Sequence, residues 1–255
     1  QKKLVDFYIN HNDGNNIEKG HSFKNKDYYK QFYKYGFMPV LSDFYHIGTD
    51  QLKIVLKNIY SDFLKYPNLY FHFNKEIKEV ERKNKKFVLN NEFIFDAVVV
   101  AIGRSGHKLI KHIIDKHPDL VLDNTYVDLG VRIELPNHIV EDLNKEMYEF
   151  KVKYKSKTNY MVRTFCNNPS GYVVRENYGD FVTVNGHAKM HDKSKNTNFA
   201  VLTTVQLTQP FNDPIGYGTN IAQMSNMLAG DNKVILQTYD HFKRSKRTKN
   251  VYRVL

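Results

Sequence analysis

The clearest pattern along the chain is a strict alternation of apolar and polar residues over Tyr126–Leu135. Valine, leucine and isoleucine occupy one set of alternate positions, and Asp128, Gly130, Arg132 and Glu134 occupy the other. Alternation with a period of two predicts a β-strand with one apolar face. The polar face either contacts solvent or lines a pocket, in which Gly130 would let a flat ring approach the backbone.

Short apolar segments separated by turn residues surround this strand. They predict an antiparallel β-region with strands at residues 148–154, 160–165, 172–176, 181–185 and 199–205. Shorter strands are predicted at residues 69–73, 77–80, 87–89 and 93–95, with a hairpin turn over Lys83–Lys86.

Helical spacing of three and four residues is strongest between Leu52 and Leu64. It predicts a helix that is capped by Thr49 or Asp50 and ended by Pro67. Further helices are predicted on both sides of a polar loop at residues 10–16, over residues 108–114 and around residues 221–228. Strands and helices together predict an α+β (mixed α/β) fold.

An apolar segment, Ala97–Ile102, leads into a glycine-rich turn at Gly103–Gly106. Its length and valine content predict a strand that is buried on both faces. Gly103 and Gly106 permit a sharp turn, and Ser105 is the predicted N-cap of the helix that follows. Such a turn directs backbone N–H groups at a phosphate or at the edge of a cofactor. The same residues also suit an ordinary strand-to-helix connection.

Five ordered segments resemble the family described as uncharacterised FAD-dependent (NAD/FAD-utilising) dehydrogenases, over roughly residues 44–248. The segments are His46–Leu52, Val98–Gly106, Asp128–Pro136, Arg163–Cys166 and Gln237–Thr248. Val98–Gly106 is similar to the second flavin-contacting strand and turn of FAD enzymes of the two-dinucleotide-domain type. Five motifs in order are more specific than one glycine turn.

The resemblance implies an oxidoreductase that transfers hydride between a small-molecule substrate and FAD, with NAD(P) as an optional second cofactor. The positions it implies for FAD contacts are Ile77, Ala101, Gly103, Arg104, Ser105 and Gly106. The implied substrate contacts are Arg132, Arg163 and Asn198, with the two arginines orienting an anionic substrate. It identifies no catalytic base.

The resemblance also implies three segments. Residues 1–125 would be part of an FAD-binding domain, residues 126–212 an antiparallel substrate domain, and residues 213–255 a helical return towards the FAD-binding part. No Gly-x-Gly-x-x-Gly motif follows a predicted strand, so in this comparison that motif would precede residue 1. These 255 residues alone are then expected to be inactive and to bind FAD weakly or not at all, because the phosphates lack their helix N-terminus.

The positions of cysteine and histidine limit the thiol, disulfide and metal sites that the sequence predicts. The family carries a second cysteine two residues after the first, whereas this chain has Asn168 there, so Cys166 is either a buried apolar residue or a single reactive thiol. One cysteine excludes an internal disulfide and suits the cytoplasm. His187 and His191 have helical metal-ligand spacing in a predicted β-region, so no metal site is predicted.

A net charge of +11 favours anionic partners, although dispersed lysines also suit a solvated surface. The densest basic cluster is Lys243–Lys249. Two other classes therefore stay open beside the oxidoreductase: a basic nucleic-acid-binding module, which is the less favoured, and a noncatalytic scaffold of oxidoreductase-like fold. No apolar segment is long enough to predict a transmembrane helix.

Overall fold

The computed structural model of the protein describes residues 2–14, 17–20, 26–40, 44–117, 120, 125–230, 233–244 and 252–253. Helices and antiparallel sheets confirm the predicted α+β class. The helices are α1 (Lys2–Asn10), α2 (Lys26–Lys34), α3 (Leu52–Phe63), α4 (His107–Lys116), α5 (Asn137–Glu146), α6 (Pro214–Ala229) and α7 (Tyr239–Lys243). The strands are β1 (Glu18–Gly20), β2 (Phe37–Pro39), β3 (Phe44–His46), β4 (Val80–Lys83), β5 (Lys86–Leu89), β6 (Phe93–Phe95), β7 (Tyr126–Pro136), β8 (Val152–Lys155), β9 (Met161–Asn168), β10 (Tyr172–Asn177), β11 (Val182–His187), β12 (Asn196–Gln206), β13 (Ile235–Leu236) and β14 (Tyr252–Arg253).

The chain divides into two compact units. The larger unit joins Gln1–Tyr66 to Thr125–Leu255, and the smaller unit is Pro67–Asn124. The family resemblance implied boundaries near residues 125 and 212. The larger unit combines residues 1–66 with residues 125–255, so it takes in part of the first implied segment and the whole of the other two.

A five-stranded antiparallel sheet with the order β2-β8-β9-β12-β7 forms the centre of the larger unit. Its longest pairing joins β7 to β12 along their whole lengths, from Tyr126 opposite Gln206 to Pro136 opposite Asn196. The strand predicted from the alternation over Tyr126–Leu135 is therefore confirmed. The antiparallel strands predicted between residues 148 and 205 are present as β8 to β12, with shifted ends.

The core of the larger unit includes residues on one face of this sheet. Phe150 and Val152 are buried, and Phe150 packs edge-on against Phe199 of β12 with the ring centroids 5.0 Å apart. β10 and β11 form a separate hairpin. A buried side chain of α6 holds this hairpin, because Asn226 accepts a hydrogen bond from the Val182 N–H at 2.8 Å and donates to the Val182 carbonyl at 3.0 Å.

Helix α3 confirms the helix predicted between Leu52 and Leu64, but its predicted N-cap is wrong. Gln51 precedes the helix, and its side chain makes no capping hydrogen bond. The Asp50 carboxylate instead accepts hydrogen bonds from the backbone N–H groups of Met190 at 2.9 Å and His191 at 3.2 Å. Thr49 donates through its N–H and hydroxyl groups to the Ala188 carbonyl. Thr49 and Asp50 therefore join the segment before α3 to the loop after β11 instead of capping the helix.

Helix α5 was not predicted. It begins directly after Pro136, and Ile139, Val140 and Leu143 lie at helical spacing within its ten residues. None of the described helices is long and apolar enough to cross a membrane.

The smaller unit contains the three-stranded antiparallel sheet β4-β5-β6 and helix α4. The predicted hairpin turn is confirmed: Asn84 and Lys85 join β4 to β5, and both have positive φ angles, of 50° and 65°. Of the strand predicted at residues 77–80, Val80 alone lies in a strand, and residues 69–73 form none.

The prediction of a buried strand over Ala97–Ile102 is wrong. These residues lie in no strand, and Val99 is 91% exposed. An apolar segment becomes a buried strand only when neighbouring strands accept its backbone hydrogen bonds and other elements cover its faces. Strand β6 ends before this segment, and no described strand pairs with it. The helix predicted after the turn is confirmed as α4, but Gly106 instead of Ser105 stands at its N-cap.

We expect the substitution Asp50→Asn to lower the free energy of unfolding by about 1–2 kcal/mol, because the amide keeps one acceptor oxygen of the carboxylate. Burial raises the pKa of Asp50, whereas the hydrogen bonds from the Met190 and His191 N–H groups lower it. The lowering is the larger effect, so the pKa of Asp50 lies below its ordinary value. The wild-type advantage is then complete above the unfolded pKa of about 3.9 and is lost as pH falls through the lower folded pKa.

Urea unfolding of both proteins between pH 7 and pH 3 measures this effect. The control is Asp180→Asn, at an exposed position in the turn between β10 and β11. Equal losses for the two variants, or a difference that grows at acid pH, would contradict the proposed role of Asp50.

A valine-to-threonine comparison tests the exposure of residues 97–102. Val99→Thr should change stability by less than about 0.5 kcal/mol, whereas Val80→Thr should cost about 1–3 kcal/mol, because Val80 is 7% exposed. Hydrogen exchange of the β5 amide groups reports the stability of the smaller unit. Equal costs for both substitutions would contradict this difference in exposure.

Candidate functional site

Arg132 lies at the centre of a polar cluster in the larger unit. Its Nη1 group donates to Asn198 Oδ1 at 2.8 Å and to the Cys166 carbonyl at 3.4 Å, and its Nη2 group donates to Asn185 Oδ1 at 3.1 Å. Arg132 is half-buried and Asn198 is fully buried. The structure thus brings together two of the three residues implied as substrate contacts.

Strand pairing explains why Arg132 and Asn198 meet. Arg132 is directly opposite Ala200, and Asn198 lies two residues before Ala200 in β12, on the same face. Diagonal neighbours of this kind are about 7–8 Å apart at Cα, a distance that a long side chain such as arginine can span. Asn198 is also opposite Asn168 of β9, and Asn168 Nδ2 donates to Asn198 Oδ1 at 3.3 Å.

An irregularity in β9 supplies the third acceptor. The register between β9 and β12 shifts between Asn198 and Ala200, and Cys166 has a positive φ of 54° at this bulge. The bulge brings the Cys166 carbonyl within reach of Arg132, and Asn168 Nδ2 donates to the same oxygen at 2.7 Å. The half-buried cysteine therefore contributes its backbone to the cluster.

The β10–β11 hairpin completes the cluster and brings a carboxylate close to it. Asn185 Nδ2 donates to Glu176 Oε1 at 2.6 Å, and the Tyr178 hydroxyl donates to Glu176 Oε2 at 2.9 Å. The Arg132 charge is thus joined to Glu176 through the amide of Asn185. Burial lowers the pKa of Arg132, and Cys166 and Glu176 raise it in part.

Because Gly186 of β11 has no side chain, atoms of the cluster can lie directly beside its backbone. A Cβ atom at this position would overlap Asn168 Nδ2, Asn198 Oδ1 and Arg132 Nη1. These three polar atoms therefore surround one point next to the hairpin backbone, and any larger residue at position 186 would displace at least one of them.

Two buried donors of the cluster have no hydrogen-bond partner among the described residues: Arg132 Nε and Asn198 Nδ2. The orientation of the Asn198 amide follows from its contacts, since the oxygen accepts from both Arg132 and Asn168. A buried donor without an acceptor costs about 1–3 kcal/mol, so such groups are uncommon. Both nitrogens are enclosed by the described residues, and neither finds an acceptor among them.

Arg163, the third implied substrate contact, is engaged elsewhere on the sheet. Its Nη2 group is 2.6 Å from Asp128 Oδ2, and its guanidinium lies over the Phe165 ring at 5.0 Å. Thr204 donates to the other Asp128 oxygen at 2.7 Å. The polar face of β7 is thus divided, since Asp128 joins a surface ion pair and Arg132 a half-buried cluster. Gly130 offers no room for a flat ring, because the Val201 carbonyl and Leu202 fill the space beside it.

A second buried polar network was not predicted from the sequence. Thr197, fully buried, donates to Asn137 Oδ1 at 2.9 Å and accepts from Asn144 Nδ2 at 3.0 Å. Asn167 then donates to Asn144 Oδ1 at 3.1 Å and to the Tyr148 carbonyl at 2.8 Å. This network joins α5 to β9 and β12. The clustering of asparagines near residues 137–144, 167–168 and 196–198 is its only sequence signal.

The residues implied as FAD contacts all lie in the smaller unit. Gly103 has a φ of 62°, and a Cβ atom there would meet nothing within 4 Å. Arg104, Ser105 and Gly106 form a 3-10 turn directly before α4. Ala101 is exposed in the segment without strand structure, and the side chain of Arg104 lies outside the described part. The backbone turn predicted from the sequence is therefore present without its predicted strand.

The backbone around Ile77 is held by one side chain. Asn90 Oδ1 accepts from the N–H groups of Lys78 at 2.8 Å and Glu79 at 3.2 Å, and Asn90 Nδ2 donates to the Glu76 carbonyl at 2.8 Å. Ile77 itself is half-buried. A fixed backbone at this position suits the FAD contact implied for Ile77 and equally suits a packed isoleucine.

A charged surface cleft of the smaller unit is lined by Glu81, Arg82, Lys83, Lys116 and His117. Lys116 and Lys83 each lie 2.6 Å from Glu81, and these contacts lower its pKa to about 2. The two ammonium groups are therefore already paired with a carboxylate, which argues against an anion site here.

Three other sequence features gain no functional role from the described residues. No group of three or more histidine, cysteine or acidic side chains in the described part could hold a metal ion. His187 and His191 lie in β11 and in the loop after it, instead of on one helix. Residues 245–249 of the basic cluster Lys243–Lys249 lie outside the described residues.

Neither a protein-family model nor a curated protein sequence matches this chain.

We expect Gly186→Ala to lower the free energy of unfolding by more than 2 kcal/mol, roughly the cost of forcing a buried group into a packed site. Gly14→Ala is the control, since Gly14 has a φ of 69° and open space around it, and should cost about 1 kcal/mol through backbone strain alone. Urea unfolding compares the two variants. If Gly186→Ala costs no more than Gly14→Ala, the cluster is not packed against the hairpin.

Proposed function

We propose that this protein is a flavin-dependent oxidoreductase that transfers hydride between FAD and a small-molecule substrate. The order of its five family-like segments supports this assignment. The observation that carries it is the Gly103 turn, which combines a left-handed φ, open space above the backbone and a helix directly downstream. A side chain at this position would obstruct a flat ring or a phosphate, and glycine does not.

The fit to FAD is confined to this turn. Residues 103–106 present main-chain atoms without a side chain at Gly103, which suits close approach of a cofactor. The exposed segment at residues 97–102 lacks the strand that the family resemblance implies, so it supplies no argument for the cofactor. The chain's proposed contacts are therefore Gly103 to Gly106, with Ile77 and Ala101 as further candidates.

When bound, the flavin would supply the hydride chemistry, with NAD(P) as the second cofactor that the proposal allows. The chain's own residues would bind and orient the substrate. Arg132 and Asn198 suit this role because both retain an unpartnered donor, whereas Arg163 is paired with Asp128. We place the protein in the cytoplasm, consistent with its single free thiol.

Comparison of two glycine variants tests the flavin proposal. We expect Gly103→Ala to weaken FAD binding about tenfold or more, equal to at least 1.4 kcal/mol, because a methyl group enters the space proposed for the cofactor. Gly179→Ala is the matched control, since Gly179 also has a positive φ, of 87°, and open space around it. Both substitutions should impose a similar backbone cost.

FAD affinity is measured by fluorescence titration, in the protein with whatever residues precede Gln1 in its natural chain. Unchanged affinity in Gly103→Ala would contradict a cofactor at this turn. An equal loss in both variants would indicate a general loss of stability instead of a lost contact.

A further inference from the structure

We propose that Asn185 is a self-modification site, at which the backbone nitrogen of Gly186 attacks the Asn185 side-chain amide and converts it, through a cyclic imide, to aspartate. Asn185 and Gly186 form the one Asn-Gly pair in the sequence. Glycine favours this attack because it has no Cβ atom beside the attacking nitrogen. The modification needs no cofactor, so it does not depend on the proposed function.

The Asn185 side chain already lies against the nitrogen that would attack it. The Gly186 N–H group donates to Asn185 Oδ1 at 2.8 Å. Because a C=O bond is about 1.23 Å long, this nitrogen is within about 4.0 Å of Asn185 Cγ, the carbon under attack. Reacting atoms in a near-attack arrangement are about 3–3.5 Å apart. A small rotation of the side chain therefore brings the two atoms to a reactive separation.

Groups of opposite charge lie at the two ends of the Asn185 amide. Arg132 Nη2 donates to Oδ1 at 3.1 Å, and Nδ2 donates to Glu176 Oε1 at 2.6 Å. The attack develops negative charge on Oδ1, and the departing Nδ2 becomes positive when it is protonated. Each charge therefore develops beside a fixed group of the opposite sign, which lowers the barrier to the reaction.

The reaction consumes one water molecule and releases ammonia. In the first step the bond from Gly186 N to Asn185 Cγ forms and the bond from Cγ to Nδ2 breaks. The Gly186 N–H proton passes to solvent, and the departing nitrogen takes a proton from solvent. Water then adds to Cγ and breaks its bond to Gly186 N, which regains a proton. Asn185 and Gly186 are only half-buried, so solvent can take part in both steps.

The position of Arg132 also selects the product. Water that adds at Cγ gives aspartate, whereas water that adds at the main-chain carbonyl carbon of residue 185 gives isoaspartate. Arg132 contacts the oxygen on Cγ and polarises this carbonyl in both steps. The folded protein should therefore form mainly aspartate. The new carboxylate changes the charge of the cluster by one unit and lies between Arg132 and Glu176.

The test compares the folded protein with the same protein in guanidinium chloride, both incubated at one mildly alkaline pH and one temperature. Peptide mapping by mass spectrometry separates asparagine, cyclic imide, aspartate and isoaspartate at residue 185. We expect Asn185 to react at least about tenfold faster in the folded protein, because unfolding removes the two charged groups. A folded rate equal to or below the unfolded rate would overturn the proposal, as would an excess of isoaspartate in the folded protein.

Two variants test the charged groups separately. Arg132→Lys removes the Nη2 donor, and Glu176→Gln keeps an acceptor oxygen but removes the negative charge, so each should slow the folded reaction about tenfold or more. Arg163→Lys is the matched control, because Arg163 lies on the same sheet but is paired with Asp128, and its rate should change less than about twofold. Equal rates in Arg132→Lys and Arg163→Lys would contradict the role of Arg132.

A variant that fails to fold leaves the proposal testable, because the comparison of folded and unfolded protein uses the wild-type chain alone. Hydrogen exchange of the β10 and β11 amide groups identifies such a variant. Since neither measurement requires a flavin, their outcome is separate from that of the flavin experiments.

Discussion

The pairing of β7 with β12 is the constraint on which the polar cluster depends. Its eleven-residue register places Arg132 diagonally across from Asn198 on one face. Because side chains alternate between faces, a shift of one residue would move Arg132 to the opposite face from Asn198 and abolish the cluster. The neighbouring bulge at Cys166 then adds a carbonyl, and Gly186 leaves room for all three groups.

Polar groups hold much of the larger unit together. Asn226 fastens α6 to β11, Thr197 joins α5 to the sheet through asparagine amides, and Asp50 fastens the start of α3 to the loop after β11. Buried amides stabilise a structure only when their partners are correctly placed, so they restrict the chain to few alternative packings. Both the Arg132 cluster and the Thr197 network contain buried polar atoms without a partner among the described residues: Arg132 Nε and Asn198 Nδ2 in the first, and Asn167 Oδ1 in the second.

Secondary structure was predicted correctly where the spacing of apolar residues within one segment determines it. The alternation over Tyr126–Leu135 and the helical spacing after Leu52 each produced the expected element. Prediction was wrong where the outcome depends on distant partners. Val99 is apolar enough for a buried strand but has no neighbouring strand, and Asp50 resembles an N-cap but binds amide groups some 140 residues away. The resemblance implied Arg132, Arg163 and Asn198 as substrate contacts. The structure joins Arg132 to Asn198, and the pairing of Arg163 with Asp128 could be assigned only once the sheet order was known.

The central claim is that this protein uses a flavin, and the most direct measurement is an absorption spectrum of the purified protein after incubation with FAD and removal of the excess. It should be recorded with whatever residues precede Gln1 in the natural chain. The account predicts that flavin bands are retained with the purified protein. A protein that retains no flavin under these conditions would contradict it and would favour the scaffold or nucleic-acid-binding alternatives.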